Sequence, residues 1–118
     1  MRKVLLFLCL MAAATAAFGA SNVLDWDYPA AETRETGFSI ERKPEACTGS
    51  GAFGVIVTVG PNVLTHTDSA VVEGVTYCYR VRAAGPGGTF SEYSNLAGRL
   101  VPFTAPAAPS GLTVQGGP

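Results

Sequence analysis

The sequence predicts an all-β fold, an antiparallel Greek-key β-sandwich, from two observations. The first is the segment Val75–Ala84, whose odd positions from Tyr77 to Ala83 are apolar or aromatic and whose even positions hold a cysteine and two arginines. A period of two is typical of a strand with one buried and one wet face. The second is a series of short segments of this kind separated by turn residues, with no helical period over ten or more residues.

Six strands are predicted in chain order, and turn residues separate them. In the first, Leu24 and Trp26 face inward and Pro29 ends the strand. In the second, Phe38 and Ile40 face inward. The third is rich in β-branched residues, and the glycine-rich loop 85–88 links the last two strands as a hairpin. The predicted strands are residues 22–28, 37–43, 53–59, 63–68, 75–84 and 91–101.

Residues 1–19 have the layout of a secretory signal peptide. Arg2 and Lys3 precede the apolar run Val4–Met11, and small residues follow it, which predicts cleavage after Gly19. A retained membrane anchor is the alternative, but the apolar run falls short of the ~20 residues that a span needs. The predicted location is therefore outside the cytoplasm: secreted and extracellular, or held in a periplasm or at a cell surface.

Charge and cysteine content narrow the function classes. Removal of the leader leaves six basic and nine acidic side chains, a formal charge of −3, which does not favour nucleic acid as a partner. Two cysteines remain, Cys47 and Cys78, and an even pair in a secreted chain predicts a disulfide. Only His66 could join them in a zinc site, so no metal ion and no cofactor are predicted.

No residue constellation indicates catalysis. His66 lies near Asp68 and Ser69, but nothing marks a pocket around them, and the glycines of loop 85–88 precede no helix that could bind phosphate. The chain is therefore predicted not to be an enzyme, with no catalytic residues.

Two exposed groups of side chains remain as candidate binding surfaces. Arg80 and Arg82 are predicted on the outer sheet face with Glu41 and Lys43, either as a charged recognition patch or as a solvated face with cross-strand pairs. Phe90 and Tyr93 offer aromatic contact for a sugar, with edge packing as the alternative.

The chain resembles a fibronectin type III domain over about residues 22–102, and the domain is predicted to span residues 20–103. The resemblance implies an immunoglobulin-like sandwich with a tyrosine corner, in which the Tyr77 hydroxyl bonds the preceding connection. It also implies a core formed by Trp26, Phe38, Ile40, Tyr77, Tyr79 and Val81. The motifs that carry it are Leu24-x-Trp26, Gly37–Arg42, Val71 six residues before Tyr77, Val81 with Ala83, and Ser91-x-Tyr93-Ser94-Asn95.

The resemblance also indicates how the cysteines pair. Cys78 directly follows Tyr77, so it faces away from the core and cannot form the buried disulfide of immunoglobulin domains. In the fibronectin type III fold the third strand ends at the pole where the sixth begins. Cys47 follows the former and Cys78 lies near the start of the latter, so a Cys47–Cys78 disulfide is predicted on the outer face of one sheet.

The chain departs from this family pattern at both ends of the domain. The first family strand is missing, because only residues 20–23 are available for it. Residues 104–118 form a Pro/Ala-rich linker and a strand-like tail that resembles the first strand of a following repeat. Either the chain is a piece of a longer array with a disordered tail, or the tail donates Leu112 and Val114 to the empty slot of another copy, giving head-to-tail self-association.

The predicted function is that of a secreted, non-catalytic binding or spacer module that contacts a protein, a cell surface or a glycan. Two alternatives stay open. The first is an extracellular subunit that assembles by exchange of its C-terminal strand, and the second is an accessory module of a secreted glycan-degrading enzyme.

Overall fold

A computed structural model describes residues 20–117 of the chain, so the predicted leader 1–19 lies outside the described residues. Within the described range, no helix is long and apolar enough to cross a membrane. A short 3-10 turn at Pro86–Gly88 follows the fifth strand. The strands are β1 (Asn22–Asp25), β2 (Gly37–Lys43), β3 (Gly54–Val59), β4 (Thr65–Asp68), β5 (Thr76–Ala84) and β6 (Ala97–Leu100).

The strands form two antiparallel sheets. The smaller sheet pairs β1 with β4, and the larger has the order β3-β2-β5-β6. β2 and β5 lie at the centre of the larger sheet and pair along the whole of β2, from Gly37 opposite Ala84 to Lys43 opposite Cys78. The predicted all-β antiparallel sandwich is therefore confirmed.

The core lies between the sheets and is supplied mainly by β2 and β5. Ile40 is fully buried, and the alternating side chains of β5 from Tyr77 to Ala83 pack around it. Leu24 of β1 and Trp26, which directly follows that strand, pack against this cluster but are only half-buried. The buried cluster consists of Phe38, Ile40, Val71, Tyr77, Tyr79, Val81, Ala83 and Val101.

The last strand is shorter than the predicted 91–101, because serine side chains replace part of its backbone ladder. Ser91 and Ser94 donate their backbone N–H groups to the carbonyls of Ala83 and Val81. The return bonds run from the N–H groups of β5 to the two serine hydroxyls, at 2.9 and 3.0 Å. The segment therefore follows the edge of β5 without strand geometry until Ala97.

The outer face of the larger sheet is largely covered. The predicted cross-strand pairing is present, because Arg80 forms an ion pair with Glu41 opposite it at 2.7 Å, but the prediction that the face is solvated is wrong for Glu41 and Lys43. Glu41 and Lys43 are only 5% and 3% exposed, and Cys78 is fully buried although it points away from the core cluster. Sequence alternation separates the two faces of a strand, but it does not show whether a loop folds over one of them. Here the connection from β2 to β3 does so.

Candidate functional site

The cover over the outer face is held by the Cys47–Cys78 disulfide, which the structure contains as predicted. The two Cα atoms lie 5.0 Å apart, within the usual range for disulfides, and the bridge closes a loop of sequence separation 31. Gly98 of β6 lies beside the bridge. A Cβ atom at this position would lie 3.1 Å from the Cys47 sulfur, which is closer than an ordinary van der Waals contact. The bridge thus ties the β2–β3 connection to the start of β5.

Lys43 is the buried cation beneath this connection. Its ammonium donates to the carbonyl of Gly49 at 2.6 Å and to that of Cys47 at 3.4 Å, and it lies 3.3 Å from the Glu45 carboxylate. Burial of an ammonium is costly unless carbonyl and carboxylate oxygens replace its water. The loop therefore folds around Lys43 as well as being linked to Cys78.

Arg80 and Arg82 are built into an alternating stack of cations and aromatic rings. The Arg80 guanidinium lies between the rings of Phe53 and Tyr93, at 4.1 and 3.7 Å from their centroids. Arg82 lies 3.8 Å from the centroid of the Phe90 ring and also contacts Tyr93. Phe90 and Tyr93 thus pack on arginines. The stack leaves 27% of the Arg80 side chain exposed, and Phe90 at its end is 51% exposed.

The buried carboxylate of Glu41 anchors the stack. It accepts hydrogen bonds from Arg80 Nε and from the Tyr93 hydroxyl, both at 2.8 Å. Burial acts to raise the pKa of Glu41, but the bonds from Tyr93 and Arg80 outweigh it and hold the pKa below its ordinary value. Glu41 is therefore a charged structural group.

A polar network connects the two sheets at the end of the sandwich where β1 begins and β6 ends, which we call the tail pole. Tyr79 donates to Asp68 at 2.7 Å and accepts from Asn22 at 2.9 Å, and Arg42 donates to the same carboxylate. Burial favours a higher pKa for Asp68, but the bonds from Tyr79 and Arg42 lower it on balance. Burial is the largest cause that raises the pKa of Tyr79, to about 12.

Tyr77 makes the hydrogen bond that the fibronectin type III resemblance implies. Its hydroxyl accepts from the backbone N–H of Val72 at 3.0 Å, which fixes the connection between β4 and β5 to the core face of β5. The Arg42 guanidinium packs 5.1 Å from the centre of the same ring.

A groove lies between β1 and the segment 94–99, at one of the two edges where the sheets are not in contact. Its volume is about 520 Å³, within the ~300–1,000 Å³ typical of ligand pockets. Leu24, Trp26, Tyr79 and Val81 line its floor. The indole N–H of Trp26 is buried and has no hydrogen-bond partner among the described residues.

One wall of the groove is an unpaired strand edge. Among residues 20–117, β4 is the strand that pairs with β1, and it occupies the other side. The backbone N–H of Trp26 donates to the carbonyl of Leu64, and the Leu24 carbonyl accepts from the Thr65 hydroxyl, so both of these backbone groups point toward β4. Because antiparallel bonding alternates, the backbone groups of Val23 and Asp25 face the groove.

The opposite gap between the sheets, on the β3 and β4 side, is of similar volume but different character. It measures about 540 Å³ and is lined by Ile56, Val57 and His66 together with an ion pair. Arg42 and Asp68 form that pair at 2.9 Å. The groove beside β1 is also lined by charged residues, Asp25, Asp27, Arg80 and Arg99, and Arg99 donates to Ser21 and Asn22 across the end where β1 begins. An extended apolar segment in the second gap would have to desolvate the half-buried Arg42–Asp68 pair, whereas Asp25 and Asp27 beside β1 stay exposed to water, so the groove beside β1 is the better strand-binding site.

The tail leaves the domain exposed and without regular secondary structure. Residues 102–117 form no strand, and the side chains of Leu112 and Val114 are 95% and 92% exposed. The root of the tail is nevertheless fixed, because Thr104 donates to Glu73 from its backbone at 3.1 Å and from its hydroxyl at 2.6 Å. The tail is thus anchored at its start and unpartnered beyond it.

The remaining polar residues to consider are possible metal ligands and His66. In the part of the chain that the structure describes, no three His, Cys, Asp or Glu side chains are grouped to hold a metal ion. His66 is half-buried in the gap between β3 and β4, and the Asp68 near it already bonds Arg42, Tyr79 and the backbone of Ala70.

Comparison with solved structures places the fold in the immunoglobulin and fibronectin type III class of β-sandwiches. The chain is similar to the twitchin kinase region from C. elegans (Fn31-NL-kin-CRD-Ig26), with a TM-score of 0.57, 21% identity, and coverage of 70% of this chain and 14% of that one. It is also similar to a myokine structure, with a TM-score of 0.56, 22% identity, and coverage of 70% and 83%. No protein-family model and no curated protein matches the sequence.

Sequence reasoning identified the disulfide and the open side of the sandwich but missed the arginine–aromatic stack. The sequence pattern that could have predicted this stack is that Phe90 and Tyr93 each directly precede a serine that bonds β5. Trp26 was predicted as a core residue, but it is half-buried, because among residues 20–117 no strand pairs with the edge of β1 that faces away from β4.

Proposed function

We propose that this chain is an extracellular, non-catalytic protein-binding module that captures an extended segment in the groove beside β1. The observation that carries the proposal is the combination in one place of an unpaired strand edge and an apolar floor. An added strand would bond the backbone groups of Val23 and Asp25, and its alternate side chains would cover Leu24 and Trp26. Recognition by strand addition derives affinity from the backbone and specificity from such alternate positions.

The rest of the architecture supports a binding role for this edge. The opposite face of the larger sheet is covered by the disulfide-linked loop and the arginine–aromatic stack, so its side chains are committed to internal contacts. The disulfide also supports a location outside the cytoplasm, where such bonds persist, as does the leader predicted at residues 1–19.

The proposal can be tested with an uncharged peptide that alternates valine and threonine, added to the purified full-length chain. Trp26 is the sole tryptophan of the sequence and lies on the groove floor, so its fluorescence reports occupancy directly. We expect a saturable shift of the emission to shorter wavelength as the peptide covers the indole. A peptide of the same composition with its valines grouped together should bind more weakly.

A matched pair of variants at one position isolates the backbone contribution. Asp25→Pro removes the N–H that faces the groove, and proline is tolerated at an edge strand where that N–H faces solvent. Asp25→Ala removes the carboxylate but keeps the N–H. The proposal requires that Asp25→Pro loses peptide binding and that Asp25→Ala retains it; equal binding by both, or no saturable binding by the unmodified chain, would overturn it.

A further inference from the structure

We infer that the segment which fills the groove is residues 112–115 of a second copy of this chain, so that copies join head to tail by strand donation. This inference rests on the proposed function and names the partner of the same site. Two independent observations carry it: a groove in which residues 20–117 place no strand, and an exposed segment of the tail with the alternation of a strand. Leu112 and Val114 fall on one face of that segment, and Thr113 and Gln115 fall on the other.

The position at which the tail leaves the domain determines which way a donated strand runs along β1. β6 ends at Leu100 opposite Thr76, at the tail pole, where β1 also begins at Asn22 opposite Asp68. A strand antiparallel to β1 must therefore enter the groove at the far pole and run toward the tail pole. The tail of the same molecule would have to fold back from the tail pole, which would place it parallel to β1.

The root of the tail works against folding back. Phe103 packs against Gly74, where φ is 85° and no Cβ could be accommodated beneath the ring, and Thr104 is bonded to Glu73. Leu112 lies eight positions beyond Thr104, an extended reach of up to roughly 28 Å. Pro106 and Pro109 favour extended backbone over that distance. When the far pole of a second copy stacks on the tail pole of the first, the end of the groove at which the strand enters lies next to the emerging tail.

The chemistry of the segment fits the groove. No charged side chain follows Arg99 in the sequence, so the donated segment introduces no charge between the sheets. Leu112 and Val114 would cover Leu24 and Trp26, which are half-buried in the single copy. In exchange, two side chains that are more than nine-tenths exposed would leave water. Donor and acceptor lie at different places on each copy, so the contact builds open chains instead of closed dimers.

Size-exclusion chromatography with light scattering on the full-length chain tests this inference. The mass should rise with concentration in steps of one chain, without a limit at the dimer. Leu112→Asp combined with Val114→Asp should remain monomeric, because charges would enter the groove. Thr113→Asp is the matched control: it adds a charge to the same segment on the face that points away from the groove, and it should assemble like the unmodified chain.

Three results would overturn the inference. The unmodified chain could remain monomeric at all concentrations, or the double variant could assemble as well as the unmodified chain. The third is a change in Trp26 emission in the double variant without a change in mass, which would show that the tail fills its own groove. The valine–threonine peptide, added to the double variant, separates this failure from failure of the proposed function: if it still binds, the groove captures strands but not this one.

Discussion

The two exposed sides of this sandwich have opposite structures, although both are rich in aromatic and charged side chains. On the outer face of β2 and β5, a covalent bond and stacked arginines close over the sheet, and Glu41 and Lys43 are buried. At the edge beside β1, Leu24 and Trp26 stay half-exposed and a strand edge stays unpaired. Most polar groups of the first side have partners within the domain, with Arg82 Nε the exception among the described residues, whereas the second side has unmet backbone and apolar groups.

This difference shows that completeness of contacts, more than residue type, distinguishes a structural face from a binding face. Arginines and aromatic rings in a sequence suggest recognition, but here they stabilise the domain from outside. The short β1 carries no unusual side chains, and the tryptophan of the groove directly follows its last residue. The importance of β1 comes from what is absent beside it among residues 20–117.

The largest expected effect compares a core residue with a groove residue. Ile40→Ala should lower the free energy of unfolding by about 4 kcal/mol, because Ile40 is fully buried among well-packed neighbours. Leu24→Ala should cost only about 1 kcal/mol in the monomer, because its side chain is partly in water already. Urea unfolding measures both, and equal costs would mean that the groove is closed in solution.

Removal of the disulfide should have the next largest effect. Cys47→Ala combined with Cys78→Ala should lower the free energy of unfolding by ~3–4 kcal/mol, as the chain-entropy relation gives for a loop of this separation. The groove lies elsewhere, so peptide binding by the folded fraction should persist. Loss of binding in a variant that is still folded would show that the two sides are coupled.

The arginine–aromatic stack should contribute less. Arg80→Met leaves the buried Glu41 carboxylate without its cation and should cost about 2 kcal/mol. Arg34→Met is the control, because Arg34 forms an ion pair with Glu32 while its side chain is 83% exposed. We expect no measurable change there. If the two variants unfolded at the same urea concentration, the stack would contribute nothing to stability.

The smallest expected effect is a pH dependence at the tail pole. The pKa of Tyr79 is raised to about 12, so the folded state favours the neutral hydroxyl. Its contribution is complete below the ordinary pKa of ~10 and is lost as the pH rises toward 12. Tyr79→Phe should therefore lower stability at neutral pH and remove part of the alkaline decline. The difference between the two stability–pH curves measures it, and parallel curves would contradict the assignment.

The sequence was sufficient to predict the features that depend on periodicity and strand direction. The alternation of β5 predicted the core face from Tyr77 to Ala83. The resemblance to fibronectin type III domains, which places the loop after β2 near the start of β5, implied the Cys47–Cys78 disulfide. The covered outer face could not be predicted, because burial of Lys43 depends on the path of the loop at 44–53. The start of β6 was also misplaced, because Ser91 and Ser94 imitate strand pairing with their hydroxyls.

The central claim is that the free edge of β1 accepts a strand, and amide hydrogen exchange at Val23 and Asp25 tests it most directly. The measurement uses the Leu112→Asp, Val114→Asp chain, followed by NMR with and without the alternating valine–threonine peptide. We predict that exchange at both amides slows by roughly tenfold or more when the peptide is present, as they gain hydrogen-bond partners. Unchanged exchange at these two amides at saturating peptide would contradict the account.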